Sequence, residues 1–163
     1  MQQWQRRLFG VLALGGGFLG AAIAIGLLIS PGMALLARAL ILPFIALYCW
    51  GAWCGLRLLE GDMSSLRANR LFWALQIPYF MSPVAGYFFA SGFFLYVTFR
   101  PSDIYFGAFF RLGSQFDYSF LHADRPLAFG LNLFAIAALV LLTHQIGRPS
   151  NNSFKPKPLR GSA

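Results

Sequence analysis

Charge is scarce in this chain, and acid is scarcer still. Of 163 residues 11% are charged, with five Asp or Glu against 13 Lys or Arg. A soluble domain carries about 25% charged residues, so an ordinary water-facing surface is excluded. The 58% hydrophobic content points to a bilayer as the solvent. None of the five acids (Glu60, Asp62, Asp103, Asp117 and Asp124) falls inside a long apolar run. Proton- and cation-coupled carriers commonly use a buried carboxylate, and that feature is missing.

Cysteine is equally sparse. Cys49 and Cys54 lie five apart in one apolar run. At about 100° per residue they point to different helix faces, which suits neither a metal pair nor a disulfide framework. They read as small buried apolar residues. No internal repeat marks an inverted-repeat transporter. No nucleophile–base arrangement or metal-ligand spacing stands out, and Gly15-Gly16-Gly17 lies inside an apolar run, where it is no phosphate loop. His122 and His144 belong to opposite sides of the expected topology and cannot share a metal. The expectation is a protein without enzyme activity, with no catalytic or metal residue and no cofactor.

What is present is apolar chain. From Leu8 to Ile29 no charge intervenes, a run longer than the apolar region of a cleavable signal, so a retained first helix is expected over about 8–29. Ser30-Pro31-Gly32 reads as a turn, with Pro31 suited to the first turn of the next helix. A second span follows over about 33–56, with Tyr48, Trp50 and Trp53 towards its far end, as near an interface. The polar connection 57–70 offers Asp62 or Ser64 as a cap for a helix beginning near Ser65. A third span is expected over 71–91, broken around Pro78 and Pro83. A fourth occupies 127–146.

The chain changes character near Phe93. Phe93–Phe99, Ile104–Phe110 and Gln115–Leu121 are aromatic stretches separated by Arg100-Pro101-Ser102-Asp103 and Arg111-Leu112-Gly113-Ser114, both turn-like. In the last stretch Phe116, Tyr118 and Phe120 alternate with polar residues. Twelve of the 18 Phe fall in 71–121, a bias that suits strands. The region 93–121 therefore reads as an outer-face β-meander. The rival reading keeps 84–99 helical and leaves a hairpin at 104–121. The fold class is a membrane all-α core of about four transmembrane helices with a small β element, forming one integral membrane domain over 1–147. The polar segment 148–163 is expected to be a disordered tail.

Basic residues set the orientation, because Lys and Arg concentrate in cytoplasmic loops. With the N-terminus inside, Arg6, Arg7, Arg57, Arg67, Arg70, Arg148, Lys155, Lys157 and Arg160 lie inside. Arg100, Arg111 and Arg125 lie outside, matched by Asp103, Asp117 and Asp124. The balance expects a multi-pass inner-membrane protein with both termini cytoplasmic. The net charge of +8 sits beside apolar runs, so it is assigned to topology and headgroups, not to nucleic acid.

Several residues merit a structural test. Arg38 lies within the second span, about 10 Å along the helix from Pro31; its side chain either snorkels to the outer interface or holds an anionic ligand or helix partner. Gln76, Pro78 and Pro83, with Ser82, mark a break that either is a packed kink or lines a site. Gly16 with Gly20, and Ala22 with Gly26, form small-residue pairs at helix-packing spacing, for a partner or for the protein's own second helix.

The tail Asn151–Ala163, NNSFKPKPLRGSA, resembles a C-terminal sequence on unrelated small bacterial proteins, of the kind produced by readthrough into a repeated genomic element. The resemblance implies a bacterial source and a dispensable tail. Two functions are expected to compete. One is a non-enzymatic membrane protein acting through the bilayer, a membrane protein partner or its own homo-oligomer. The other is a small transport or lipid-handling protein using Arg38 and the broken third span.

Overall fold

The computed structural model describes residues 3–121 and 123–146, the last two by backbone alone. His122, the expected tail 148–163 and its four basic residues lie outside the described residues.

Helices α1 (Gln3–Leu28) and α2 (Leu35–Glu60) form an antiparallel hairpin. Each has 26 residues, about 39 Å at 1.5 Å per residue, against a hydrocarbon core of about 30 Å. Both are long and apolar enough to cross a membrane. Glycine brings their backbones together: a Cβ on Gly17 would strike the backbone of Ala52, and one on Gly55 the backbone of Leu14. The turn between the helices places Gly32 at φ +83°, a conformation that favours glycine. Pro31 sits in this turn ahead of α2, so it does not occupy the helix's first turn as expected. At the other end Gly61 closes α2 in the left-handed region at φ +88° and returns its N–H to the carbonyls of Arg57 and Leu58. The Asp62 carboxylate then accepts the Ser64 N–H at 2.9 Å, capping a short 3₁₀ turn that leads into α3 (Leu66–Leu75).

The expected third span does not form. After α3 stops at Leu75, residues 78–90 make strands β1 (Pro78–Met81) and β2 (Ala85–Ala90). Pro78 has no N–H to continue a helix, and it disfavours the helical region at Ile77. The Tyr- and Phe-rich chain beyond then fits a pleated surface. The fourth span is also divided, into strand β6 (Ala128–Asn132) and helix α4 (Leu133–Ile146). Asn132 makes the division: its Oδ1 accepts the Ala135 N–H at 3.2 Å as an N-cap. The expected four helical spans thus become two helices of spanning length, together with two shorter helices and a sheet.

Over 93–121 the expected strands are present as β3 (Phe93–Arg100), β4 (Tyr105–Leu112) and β5 (Gln115–Phe120), and the helical alternative for 84–99 is not. Their pairing is not a meander. All contacts are antiparallel, and the strand order is β4-β3-β6-β1-β2-β5. The β element is therefore a six-stranded sheet, larger than the small hairpin or meander expected.

This order forces the sheet to curl. Strands β2 and β3 are joined by Ser91 and Gly92 alone, yet β1 and β6 lie between them. Strands β4 and β5 are joined by Gly113 and Ser114 alone, yet they are the two edges. Such a link reaches about 10 Å, whereas flat strands at about 4.8 Å spacing would stand roughly 14 Å and 24 Å apart. The sheet therefore closes up at this end, where the Gly113 N–H donates to the Gly92 carbonyl at 2.6 Å. Ring contacts show the concave side: Phe88 on β2 lies 5.1 Å from Tyr96 on β3 and 6.3 Å from Phe109 on β4.

The register sorts the two faces by polarity. The pairs Leu95↔Phe110, Val97↔Ala108, Phe99↔Phe106 and Phe99↔Phe129 lie on the convex face. Phe80↔Tyr87 and Phe89↔Phe116 continue it, and no charged strand residue lies there. Arg100, Arg111, Asp117, Gln115 and Asn132 all belong to the concave face. Part of the convex face packs on α2, where Phe44 stacks against Phe116 at 4.8 Å. Phe93 on the same face packs on Phe134 of α4, and the part around β4 is open: Phe106 is 70% exposed and Phe110 75%.

Candidate functional site at the helix–sheet junction

The helices and the curled end of the sheet meet in a buried polar knot. Gln76 caps the C-terminus of α3 and is fully buried. Its Oε1 accepts the Ser91 N–H at 2.8 Å, and its Nε2 donates to the Phe72 carbonyl at 3.4 Å. The Tyr96 hydroxyl donates to the Gln76 carbonyl at 2.6 Å. Asn132, buried at the start of α4, accepts the Leu95 N–H through Oδ1 at 3.2 Å. From α2, the Tyr48 hydroxyl donates to the Ala90 carbonyl at 3.2 Å. These side chains serve backbone groups that lose their partners where helices give way to strands, and a buried unpaired group is costly.

Helix α1 presses on the same knot. A Cβ on Gly16 would overlap the backbone of Gly92 and the Ser91 hydroxyl. Gly92 itself stands at φ +85°, with the Leu12 carbonyl where a side chain would go. The Ser114 hydroxyl donates to the Gly16 carbonyl. Gly20 is filled by the ring of Tyr48. Gly16 and Gly20 therefore pack inside the chain, while Ala22 and Gly26 are exposed, with nothing near the Cβ position of Gly26.

Arg38 reaches the hairpin turn, where its Nη2 donates to the Ser30 carbonyl at 3.3 Å. Pro78 opens β1 opposite Leu131. Pro83 lies in the turn after β1, where the Ser82 hydroxyl donates to the Ala85 carbonyl at 2.7 Å. Among the described residues no hydrogen bond or ion pair joins Arg38 to Gln76, Pro78 or Pro83. Gln76 belongs to the knot; Arg38 and the two prolines do not. Nothing in the sequence marks Ser91 or Tyr96 as members of the knot. Asn132 carried a legible signal, a helix-capping residue before an apolar run.

Three grooves among the described residues lie around this frame. One of about 460 Å³ runs between α1 and α2, past Gly17, Phe18, Cys49 and Trp53. A second of about 310 Å³ lies where Gly15, Leu19 and Leu112 meet. A third of about 340 Å³ separates α3 from α4 and is lined by Arg67, Arg70, Leu71, Ala74 and Leu139. Among the described residues, no three His, Cys, Asp or Glu gather closely enough to hold a metal.

No protein-family model matches the chain, and neither a curated protein nor a solved structure matches it.

Proposed function

We propose that this is a small multi-pass protein of a bacterial-type inner membrane that acts without enzyme chemistry, through contacts made inside the bilayer. The observation that carries this reading is the polarity of the sheet. Its exposed convex face is apolar, and its charged strand residues turn to the concave side. A water-soluble sheet exposes its polar face, whereas a lipid-facing one shows the reverse. Exposed Val11, Phe18, Ile25 and Leu36 extend the apolar surface over the helical hairpin.

Orientation follows from the arginines. Connectivity brings Arg6, Arg7, Arg57, Arg67 and Arg70 to one end of the helices. Arg100 lies at the far end of β3, away from the Phe93 contact with α4. The positive-inside rule makes the first end cytoplasmic, with both termini there.

The test has two parts. In vesicles containing brominated lipid, the Trp fluorescence that Phe110→Trp adds to the parent's should be strongly quenched, and that added by Tyr79→Trp on the concave face should not. Equal, weak quenching at both sites would remove the lipid-facing sheet. Purification in mild detergent should recover a stoichiometric partner or a homo-oligomer. A strictly monomeric, partnerless species would count against action by contact.

A further inference from the structure

The groove between α3 and α4 combines a cationic mouth with an apolar wall. Arg67 and Arg70 lie three residues apart, on one face of α3. Arg67 is exposed. Arg70 is half-buried, and its Nε is buried without a hydrogen-bond partner among the described residues. Among the described residues no carboxylate lines the groove. Asp62, the acid nearest to them in sequence, is held by Arg57 at 3.3 Å and by Ser64. Two guanidinium groups a turn apart, with no acid to neutralise them, suit a phosphate, which accepts their forked donors.

The wall selects the kind of phosphate. Leu71 and Ala74 continue the wall along α3, about 10 Å from Arg67 to Ala74, and Leu139 of α4 lines the same groove. Leu71 is 55% exposed. Charge at the cytoplasmic end and an apolar channel running inward match an anionic phospholipid of the inner leaflet, headgroup first. A free anion would leave the apolar wall unused.

We propose that the α3–α4 groove binds an anionic phospholipid, its phosphate held by Arg67 and Arg70 and one acyl chain laid along Leu71, Ala74 and Leu139. This rests on the inner-membrane reading above and adds a specific lipid site to it.

The full-length protein, delipidated in neutral detergent, should be titrated with phosphatidylglycerol, phosphatidylcholine or inorganic phosphate and followed by native mass spectrometry. Phosphatidylglycerol should bind saturably at one per chain, at least tenfold more tightly than phosphatidylcholine, and inorganic phosphate should not compete at comparable concentration. The pair Arg67→Gln and Arg70→Gln should abolish the preference, and Arg6→Gln with Arg7→Gln should leave it intact. The exposed Arg67→Gln alone should weaken it severalfold without altering the lipid-free melting temperature.

Equal binding of the two lipids would overturn the proposal. So would equal losses in the two double variants, which would signify diffuse charge, and so would full competition by inorganic phosphate. Carbonate extraction of membranes keeps the two readings apart. A chain that stays in the pellet but shows no lipid preference refutes the site alone, and a chain that is extracted refutes the membrane reading as well.

Discussion

The side-chain oxygen of Gln76 accepts the backbone N–H of Ser91 at 2.8 Å, fastening the end of α3 to the two-residue link between β2 and β3. That link spans strands that are not neighbours, and its Ser91 N–H takes its partner from Gln76, not from a strand. Gln76→Met keeps the bulk and removes the acceptor. It should cost about 1–3 kcal/mol, the penalty for a buried donor left unpaired, read as a lower unfolding midpoint in detergent. A Gln76→Met protein as stable as the parent would show that the contact contributes nothing.

Neighbouring glycines on α1 should respond in opposite directions. A Cβ on Gly16 meets the backbone of Gly92, which cannot yield easily, while a Cβ on Gly15 meets nothing within 4 Å. Gly16→Ala should destabilise by about 1–3 kcal/mol through overpacking. Gly15→Ala should stabilise by up to about 1 kcal/mol, because alanine favours the helix. Thermal unfolding of the two variants side by side checks this, and the same sign for both would contradict the close approach of α1 to the sheet.

Acid should loosen the connection between α2 and α3. The hydrogen bond from the Ser64 hydroxyl, then the Ser64 N–H and the Arg57 guanidinium, hold the Asp62 carboxyl below its ordinary 3.8. A depressed carboxyl contributes stability that is present above 3.8 and lost as pH falls through its lower folded value. The melting temperature of the parent should therefore decline below pH 3.8 more steeply than that of Asp62→Asn. Parallel acid limbs would mean that the cap carries no pH dependence.

Arg38 closes the hairpin turn through the Ser30 carbonyl. Arg38→Leu should lower stability by about 1 kcal/mol, the loss of one hydrogen bond, and leave membrane insertion unchanged. Liposome anion flux that disappears with Arg38→Leu, beyond any change in folded protein, would instead reveal an anion pathway through this residue.

Much was legible along the chain. The two long helices follow from apolar runs long enough to cross a membrane. The strands near 93, 105 and 115 follow from aromatic alternation and turn residues. The break at Pro78 was also visible, but its outcome was not. A proline ends a helix without saying whether the chain resumes as helix or strand, and the apolar run from Leu71 to Phe99 has the hydropathy of either. Gln76 could be flagged as a polar residue beside that break, whereas Ser91 and Tyr96 became partners only when folding brought them to it.

Composition and patterning alone thus marked the two apolar helices of spanning length, among four spans expected, and an aromatic β region. The strand order, the curl and the inverted polarity of the sheet were decided by tertiary structure. Whether Arg100, Arg111 and Asp117 face inward or outward depends on which strands pair and which way the sheet bends, and alternation within one strand carries neither fact. Two-residue links between distant strands fixed both. The curl they impose turned the apolar face outward, and the polar knot at Gln76 satisfies the backbone groups left over where it closes.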